Sequence, residues 1–580
     1  MPPKPKPTAK PQARARAPRT LSGSEIVLQV LREEGADVMF GIPGGVLLPF
    51  FDTLYDAVQD GWMHYYLTRH EQGAAHMADG YARATGKVGV CIATSGPGAL
   101  NLVTGIATAN MDSVPLVALT GQVRSEVIGK DAFQEADIRG VTMPITKHNY
   151  LVKNPADLGD VLREAFLLAR SGRPGAVLVD IPVDVFTGTA ALTDRHDGRL
   201  RGYNPPTEGD PELLRQAADL LNKCERPVLY VGGGIISSGA SPALKKLVDK
   251  TGIPVVNTLM GKGAFPESHP LSLGMPGMHG AAYASKALHH ADLILGVGVR
   301  FDDRVTGDVS KFAPDACIVH IDVDPAELNK IIRPHVAVAA DARLALQALL
   351  PLVKKRDLSA WDQQVAAWKR ACPLRYPRPE RGIAPQFVIE ELWRLNQGRE
   401  AVVTTEVGQN QMWAAQYYRV DQPRQFMTSG GLGTMGYGFP AAIGAQVGRP
   451  EATVWDIAGD GSIQMNLQEL ATAVVNKLPV KVAILNNGVL GMVRQWQTLF
   501  YHNRLSGTVL TGNPDFSAVA RAYGGEGILV TEPEDVAPAI ERANAINDRP
   551  VFVDFHVWPE ANVMPMIPAG KSVDDLIMEA

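Results

Sequence analysis

Asp460 stands between two glycines in GDGSIQMN (459–466), and the pair Asn486–Asn487 closes the next apolar run. A carboxylate and a side-chain amide brought together are hard oxygen donors. They suit Mg²⁺, which favours carboxylate, carbonyl, water and phosphate oxygens. Glycine backbone opening onto a helix N-terminus would add a cradle for a pyrophosphate. A plainer use of the same residues is Asp460 as a helix cap and Asn487 as a turn residue. A second carboxylate, Glu71, opens the apolar-patterned stretch HEQGAAHMADGYAR (70–83), where it could act as an acid–base group or simply complement a helix N-terminus.

The elements that must position these groups are legible. TVWDIA (453–458) reads as a buried strand and VKVAILNN (480–487) as another. Between them, Leu467, Leu470, Ala471 and Val474 recur at helical spacing, which predicts a helix over 466–477. A βαβ crossover returns both strand ends to one edge of the sheet. Asp460 and Asn487 should therefore meet at the carboxyl edge, where open α/β sheets bind ligands. Around Glu71, Ala74, Ala75, Ala78 and Tyr81 share one helix face. FGIPGG (40–45) and TSGPGALN (94–101) read as strand ends entering tight glycine turns.

Short apolar runs alternate with helical patterns along the whole chain, which predicts parallel α/β layers. Polar stretches at 187–211 and 371–385 interrupt this rhythm. The expected organisation is a tail (1–20), a first domain (21–186), a linker (187–211), a central domain (212–350), a linker (351–385), a third domain (386–558) and a C-terminal tail (559–580) lying over the site. In the central block, VLYVGGGIISSGA (228–240) is a strand followed by three glycines, a weak nucleotide signal by itself. Asp322 and Asp341 fall at expected strand ends, where acids can bind ribose or ring groups.

Composition excludes several classes. Hydrophobic content of 46% and charged content of 20% are those of an ordinary globular chain, and a net charge of −5 gives no reason to expect nucleic acid or an anionic membrane as partner. No apolar run approaches the roughly 20 residues of a membrane span. The four cysteines are far apart, without a CxxC pair, so neither a zinc site nor a disulfide framework is indicated. The cytoplasm is the expected compartment. Residues 1–20 carry six basic residues and no acid among many prolines, a composition expected to be disordered; a transit peptide is the alternative.

The run IGAQVGRPEATVWDIAGDGS (443–462), with the later Asn pair, resembles the signature of thiamine-diphosphate-dependent enzymes. That resemblance implies Mg²⁺ held by Asp460, Asn487 and the backbone carbonyl of Val489. It implies a cofactor held by Val407, Gly408, Gln409, Asn410, Gly433 and Met435, then by Gly459, Gly461, Ser462, Gly491 and Met492. Glu71 would press on the aminopyrimidine ring and drive its tautomerisation, beside the turn at Gly45. Met435 would be the apolar wedge that bends the cofactor. The two halves of such a site come from different subunits, so a homodimer or homotetramer with active sites at the dimer interface is implied.

RFDDRVTG (300–307), GMPGMHG (274–280), GKDAFQEADI (129–138), TKHNYLV (146–152), GMVRQWQ (491–497) and PMIPAG (565–570) together resemble the acetohydroxyacid synthase family over about 21–580. The resemblance implies FAD, without net redox, on Arg173, Gly233, Gly234, Thr258, Leu259 and Met278, and on His279, Arg300, Asp302, Arg304, Asp322 and Asp341. It implies loss of CO₂ from pyruvate and joining of the two-carbon fragment to pyruvate or 2-oxobutyrate, with a separate small regulatory subunit as partner. Trp496 would wall the second-substrate pocket, Arg304 would pair with that substrate's carboxylate, and Phe133, Gln134 and Lys147 would line the channel. Other thiamine enzymes of this architecture, such as a pyruvate oxidase, and a non-catalytic FAD-binding relative are the alternatives. Four residues depart from the family pattern: Val46 and Arg124 at its herbicide-contacting entrance, Val183, and Asn410 near the diphosphate.

Overall fold

A computed structural model describes residues 20–192 and 200–579. The basic tail 1–19, for which disorder is expected, and part of the first expected linker lie outside the described residues.

Three parallel sheets, one per domain, form the scaffold. The first has the order His64–Leu67, Val38–Gly41, Gly89–Ala93, Leu116–Gln122, Ala176–Pro182, His148–Leu151. The central sheet has five strands: Val255–Asn257, Pro227–Val231, Leu293–Val297, Cys317–Asp322 and Val336–Ala339. The third runs Phe426–Thr428, Ala401–Thr405, Thr453–Gly459, Lys481–Asn486, Val551–His556, Glu526–Val530. The central strands of each sheet are near-continuous apolar runs buried on both faces, as strands flanked by crossover helices must be.

One antiparallel pair, Thr20–Ser22 with Thr189–Ala191, closes the first domain and draws the start of the expected linker into it. The second expected linker contains the helix Ser359–Ala371, whose buried Trp361 donates to Pro227 O at 3.1 Å.

The outer domains pack through the helices Glu71–Thr85 and Gly438–Gly448. Gly80 and Gly444 make this possible, because a Cβ on either would collide with the backbone of Ala441 or Met77. The helix expected over 466–477 is broken instead. Two 3₁₀ turns, Ile463–Met465 and Leu467–Glu469, precede a short helix, Leu470–Val475. The break has two local causes. Asn466 spends its side-chain amide on Gly436 O at 2.7 Å, and Glu469 turns its carboxylate to the Arg69 and His70 backbone N–H groups at 3.0 and 2.8 Å.

Candidate active site

Asp460 follows the strand Thr453–Gly459 and Asn487 follows its neighbour Lys481–Asn486, with Gly459 opposite Leu485 in the ladder. Both residues thus stand at one carboxyl edge of the sheet, as a crossover between neighbouring parallel strands requires. Asp460 does not cap the following helix. Its Oδ2 accepts from Gly488 N at 3.1 Å and from Asn513 Nδ2 at 2.6 Å. Asn487 Oδ1 accepts from Val489 N at 3.1 Å, and its amide faces Gln409 Oε1 at 3.4 Å. Leu490 N and Gly488 O bond to Thr508 and Leu510, which pins the segment around Val489.

The Asp460 carboxylate is 1% exposed. Burial pushes its carboxyl up to about 6, and no Lys or Arg forms an ion pair with it among the described residues. Nor do three His, Cys, Asp or Glu side chains gather as a metal site anywhere among them. The corner therefore offers one buried anionic oxygen donor and neutral oxygens, a donor set that fits Mg²⁺ beside a phosphate better than Zn²⁺.

Neighbouring glycines hold this corner tight. A Cβ on Gly461 would lie 2.7 Å from Leu490 Cδ2, and Gly408 adopts φ +150° at the cap of the helix Gln409–Tyr417. Ser462 Oγ bonds back to Gly459. Gln409 donates to Gln495 Oε1 and Ala561 O, both at 2.9 Å, and Asn410 donates to Ile457 O at 2.8 Å. Gly491 opens the helix Gly491–Phe500, which places Met492 and Trp496 one turn apart on a single face.

Beside this corner is a cavity of about 920 Å³, at the upper end of the usual range for cofactor sites. From the third domain it is lined by Val407, Gly408, Gly433, Met435, Met492 and Trp496. From the first and central domains it is lined by Arg173, Gly233, Gly234, Thr258, Leu259 and Met278, and by His279, Arg300, Asp302, Arg304, Asp322 and Asp341. All twelve residues that the resemblance linked to FAD thus face one space.

His279 is buried there with Nδ1 unpartnered, and burial holds its imidazole down at about 4. Burial pushes Asp322 up to about 6. Gly234 packs on Gly298, where only a bare backbone fits. An apolar-lined groove carrying an orphaned acceptor or donor and carboxyls at strand ends fits a flavin dinucleotide. Asp302 and Asp341 also cap short helices, and Arg173 bonds to Glu327 at 2.7 Å, so these groups are pre-oriented by the fold.

Glu71 lies elsewhere, outside the cavity lining. It is 8% exposed, at the first residue of its helix, which His70 caps through a bond from Gln72 N. Its Oε2 accepts from Asn101 Nδ2 at 3.0 Å, and its Oε1 lies over Gly98. Gly45 opens the turn Gly45–Leu47 onto open space. Phe133 is 88% exposed, and the backbone of Gln134, at φ +58°, rests against Gly96. None of Glu71, Gly45, Phe133 and Gln134 lines the cavity beside Asp460.

Lys147 lines a second cavity, with Met111, Arg173 and Leu432. Its ammonium donates to Leu168 O and Ser171 O, both at 2.6 Å, and to Arg173 O and Tyr203 Oη, both at 2.9 Å. Three of these acceptors lie at or just beyond the end of the helix Pro155–Arg170, so the ammonium serves as a helix-capping cation there. Of the departures, Arg124 is exposed and pairs with Glu126 at 3.0 Å, Val46 packs on Gly121, and Val183 opens the short helix Val183–Thr187.

Sequence reasoning missed Asn101, Asn513 and Glu406. Glu406 accepts from Gly436 N at 2.6 Å and Phe439 N at 3.1 Å; burial pushes it up to about 8, and the neighbouring buried Asp456 is raised as well. Each of these contacts joins distant segments, and no local pattern announces them.

Family comparison agrees with this geometry. The N-terminal TPP binding domain of thiamine pyrophosphate enzymes matches residues 21–141, the central domain 214–349 and the C-terminal TPP binding domain 406–555. The acetolactate synthase large subunit of Corynebacterium glutamicum is 51% identical over 98% of this chain and 92% of its own length. An acetolactate synthase of Mycobacterium bovis is 49% identical over 96% and 91%, and the isozyme 3 large subunit of Escherichia coli 46% identical over 96% and 98%. The chain, with its three thiamine pyrophosphate domains, belongs to the acetolactate synthase large-subunit family.

Proposed function

We propose that the protein is an acetohydroxyacid synthase, which removes CO₂ from pyruvate and joins the remaining two carbons to pyruvate or 2-oxobutyrate. The products are 2-acetolactate and 2-aceto-2-hydroxybutyrate, which have the branched carbon skeletons that lead to valine, leucine and isoleucine. The observation that carries this reading is the single cavity on which the flavin-side residues and Met435, Met492 and Trp496 converge, beside the Asp460–Asn487 corner.

Thiamine diphosphate, when bound, supplies a thiazolium carbon able to accept the electron pair left by departing CO₂. Asp460, Asn487 and the Val489 carbonyl would hold Mg²⁺, and Gly408, Gly459, Gly461 and Ser462 leave room for the phosphates. Glu71 holds or yields a proton at its carboxylate, steadied by Asn101. Met435 fills space against the cofactor, Trp496 bounds the acceptor pocket, and Arg304 offers a guanidinium to a 2-oxo acid carboxylate. The twelve central-cavity residues would hold FAD.

Glu71 and Phe133 lie outside the cavity lining of their own chain, which supports a homodimer, or a tetramer built from dimers, in which a second copy completes the site. The relatives named as large subunits support a separate small regulatory partner. No helix among the described residues is long and apolar enough to cross a membrane, which is compatible with a cytoplasmic site of action. A colorimetric acetolactate assay with pyruvate, thiamine diphosphate, Mg²⁺ and FAD tests the reading. Product that depends on thiamine diphosphate is expected, and its absence from folded, cofactor-loaded protein would overturn it.

A further inference from the structure

The segment 429–435 runs from strand Phe426–Thr428 to Met435, and Gly430, Gly431, Leu432 and Gly433 line the large cavity. At its start Gly430 abuts Met260 of the central domain, and Arg300 lies close to Gly431; further on, Gly433 and Met435 line the cavity with Met492 and Trp496. The first domain grips this loop. Asp112 Oδ1 accepts from Gly431 N at 2.7 Å and its Oδ2 from Gly430 N at 3.2 Å. Arg83 donates to Asp112 Oδ2 and to Thr428 O, both at 2.9 Å. Arg83 in turn is held by Asp79 at 2.6 Å, and Tyr437 Oη donates to Asp79 at 2.7 Å. Thr108 and Thr434 share a hydroxyl hydrogen bond of 2.7 Å.

The Asp79 and Asp112 side chains have no exposure and that of Arg83 is 11% exposed. Such a buried charged network is an expensive way to join two domains, since apolar packing would serve stability as well or better. What it supplies is direction: two adjacent loop amides point at one fixed carboxylate.

Resting on the proposed cofactor site, we propose that Asp112, fixed by Arg83, is a positioning residue that sets the loop 429–435 for the flavin and the thiamine compartments at once. Moving the loop shifts Gly430–Gly431 on the flavin side and Gly433–Met435 on the thiamine side together. A purely structural role would lower thermal stability while leaving both compartments intact.

The test uses the full-length protein and its variants Asp112→Asn and Gly431→Ala. The first removes the anion without changing size. The second leaves every charge in place, but its Cβ would lie 2.8 Å from Asp112 Oδ1 and collide with Met111, pushing the loop off its anchor. Three quantities are read: amide hydrogen exchange of the 428–435 peptide in cofactor-free protein, thiamine diphosphate half-saturation with Mg²⁺, and FAD half-saturation by flavin fluorescence. In both variants exchange of the loop should accelerate, and both half-saturation values should rise together by roughly 10- to 100-fold. Folded variants that load both cofactors like wild type overturn the proposal, as does a wild-type loop already in fast exchange. If Asp112→Asn does not fold, Gly431→Ala decides alone. If wild type loads neither cofactor, the site reading fails, and amide exchange still reports on the clamp.

Discussion

Asn101 Nδ2 donates at 3.0 Å to Oε2 of Glu71, so one carboxylate oxygen is fixed from within the first domain while the other lies over Gly98. Glu71→Gln can keep this bond by turning its oxygen to Asn101, which leaves an NH₂ where Oε1 was. The variant should fold and load cofactor but lose turnover by roughly 10²-fold or more, the usual worth of a positioned acid–base group. NMR-detected exchange of the cofactor C2 proton checks this, and exchange at the wild-type rate would reduce Glu71 to a helix-end carboxylate.

Asp460 should show itself in the pH dependence of stability. Its folded-state pKa of about 6 lies above the roughly 3.9 of an unfolded Asp. Between these values the native chain binds more protons than the unfolded one, so this group makes stability fall as pH rises. The cost above pH 6 is about 3 kcal/mol. Without metal, Asp460→Asn should therefore be the more stable protein at pH 7.5, with the gap closing by about pH 4. Mg²⁺-dependent loading of thiamine diphosphate should tighten through pH 6 in wild type only, and Asp460→Ala should lose that loading while the FAD spectrum remains. Calorimetric melts and titrations at pH 5, 6 and 7.5 read both effects; a variant with wild-type titrations would remove Asp460 from the metal set.

Lys147 gives a prediction with two separable outcomes. As a helix-capping cation, Lys147→Met should cost about 1–3 kcal/mol of stability, since four acceptors lose their donor. The KM for pyruvate should not move. A raised KM with an unchanged melting temperature would return Lys147 to the substrate channel.

The entrance carries the fourth prediction. Arg124 is exposed and paired at the surface with Glu126, a contact too weak to fix its long side chain. Val46 adds bulk against Gly121. Flat aromatic sulfonylureas should inhibit weakly, while pyruvate, being small and anionic, still enters. The double variant Arg124→Pro, Val46→Ala should recover up to about 100-fold in inhibitor affinity. Equal, tight inhibition of both proteins would show that these two residues do not govern access.

What was legible in the sequence follows from what is local. The strand periodicity and the crossover rule sufficed to bring Asp460 to Asn487, because register between neighbouring parallel strands is fixed by the chain itself. Glu71 at the first residue of its helix was legible for the same reason. The helix over 466–477 failed because its first turns answer to tertiary demands: Asn466 to Gly436 O and Glu469 to the backbone before Glu71. The partners of the site residues were not legible either, since Asn513 reaches Asp460 across 53 positions and Asp112 reaches Gly431 across 319. Lys147 sits in a family-like motif, yet its ammonium is used by a helix end that the motif does not contain.

The central claim is that one cavity with a flavin side and a thiamine side performs carbon–carbon bond formation rather than oxidation. The most direct measurement is the stoichiometry of ¹³C-labelled pyruvate consumption by the cofactor-loaded protein, followed by NMR with an oxygen electrode in parallel. Two pyruvates consumed per CO₂ released, one 2-acetolactate formed and no oxygen uptake is the predicted result. One pyruvate per CO₂ with oxygen consumption, or no turnover by fully loaded protein, would contradict it.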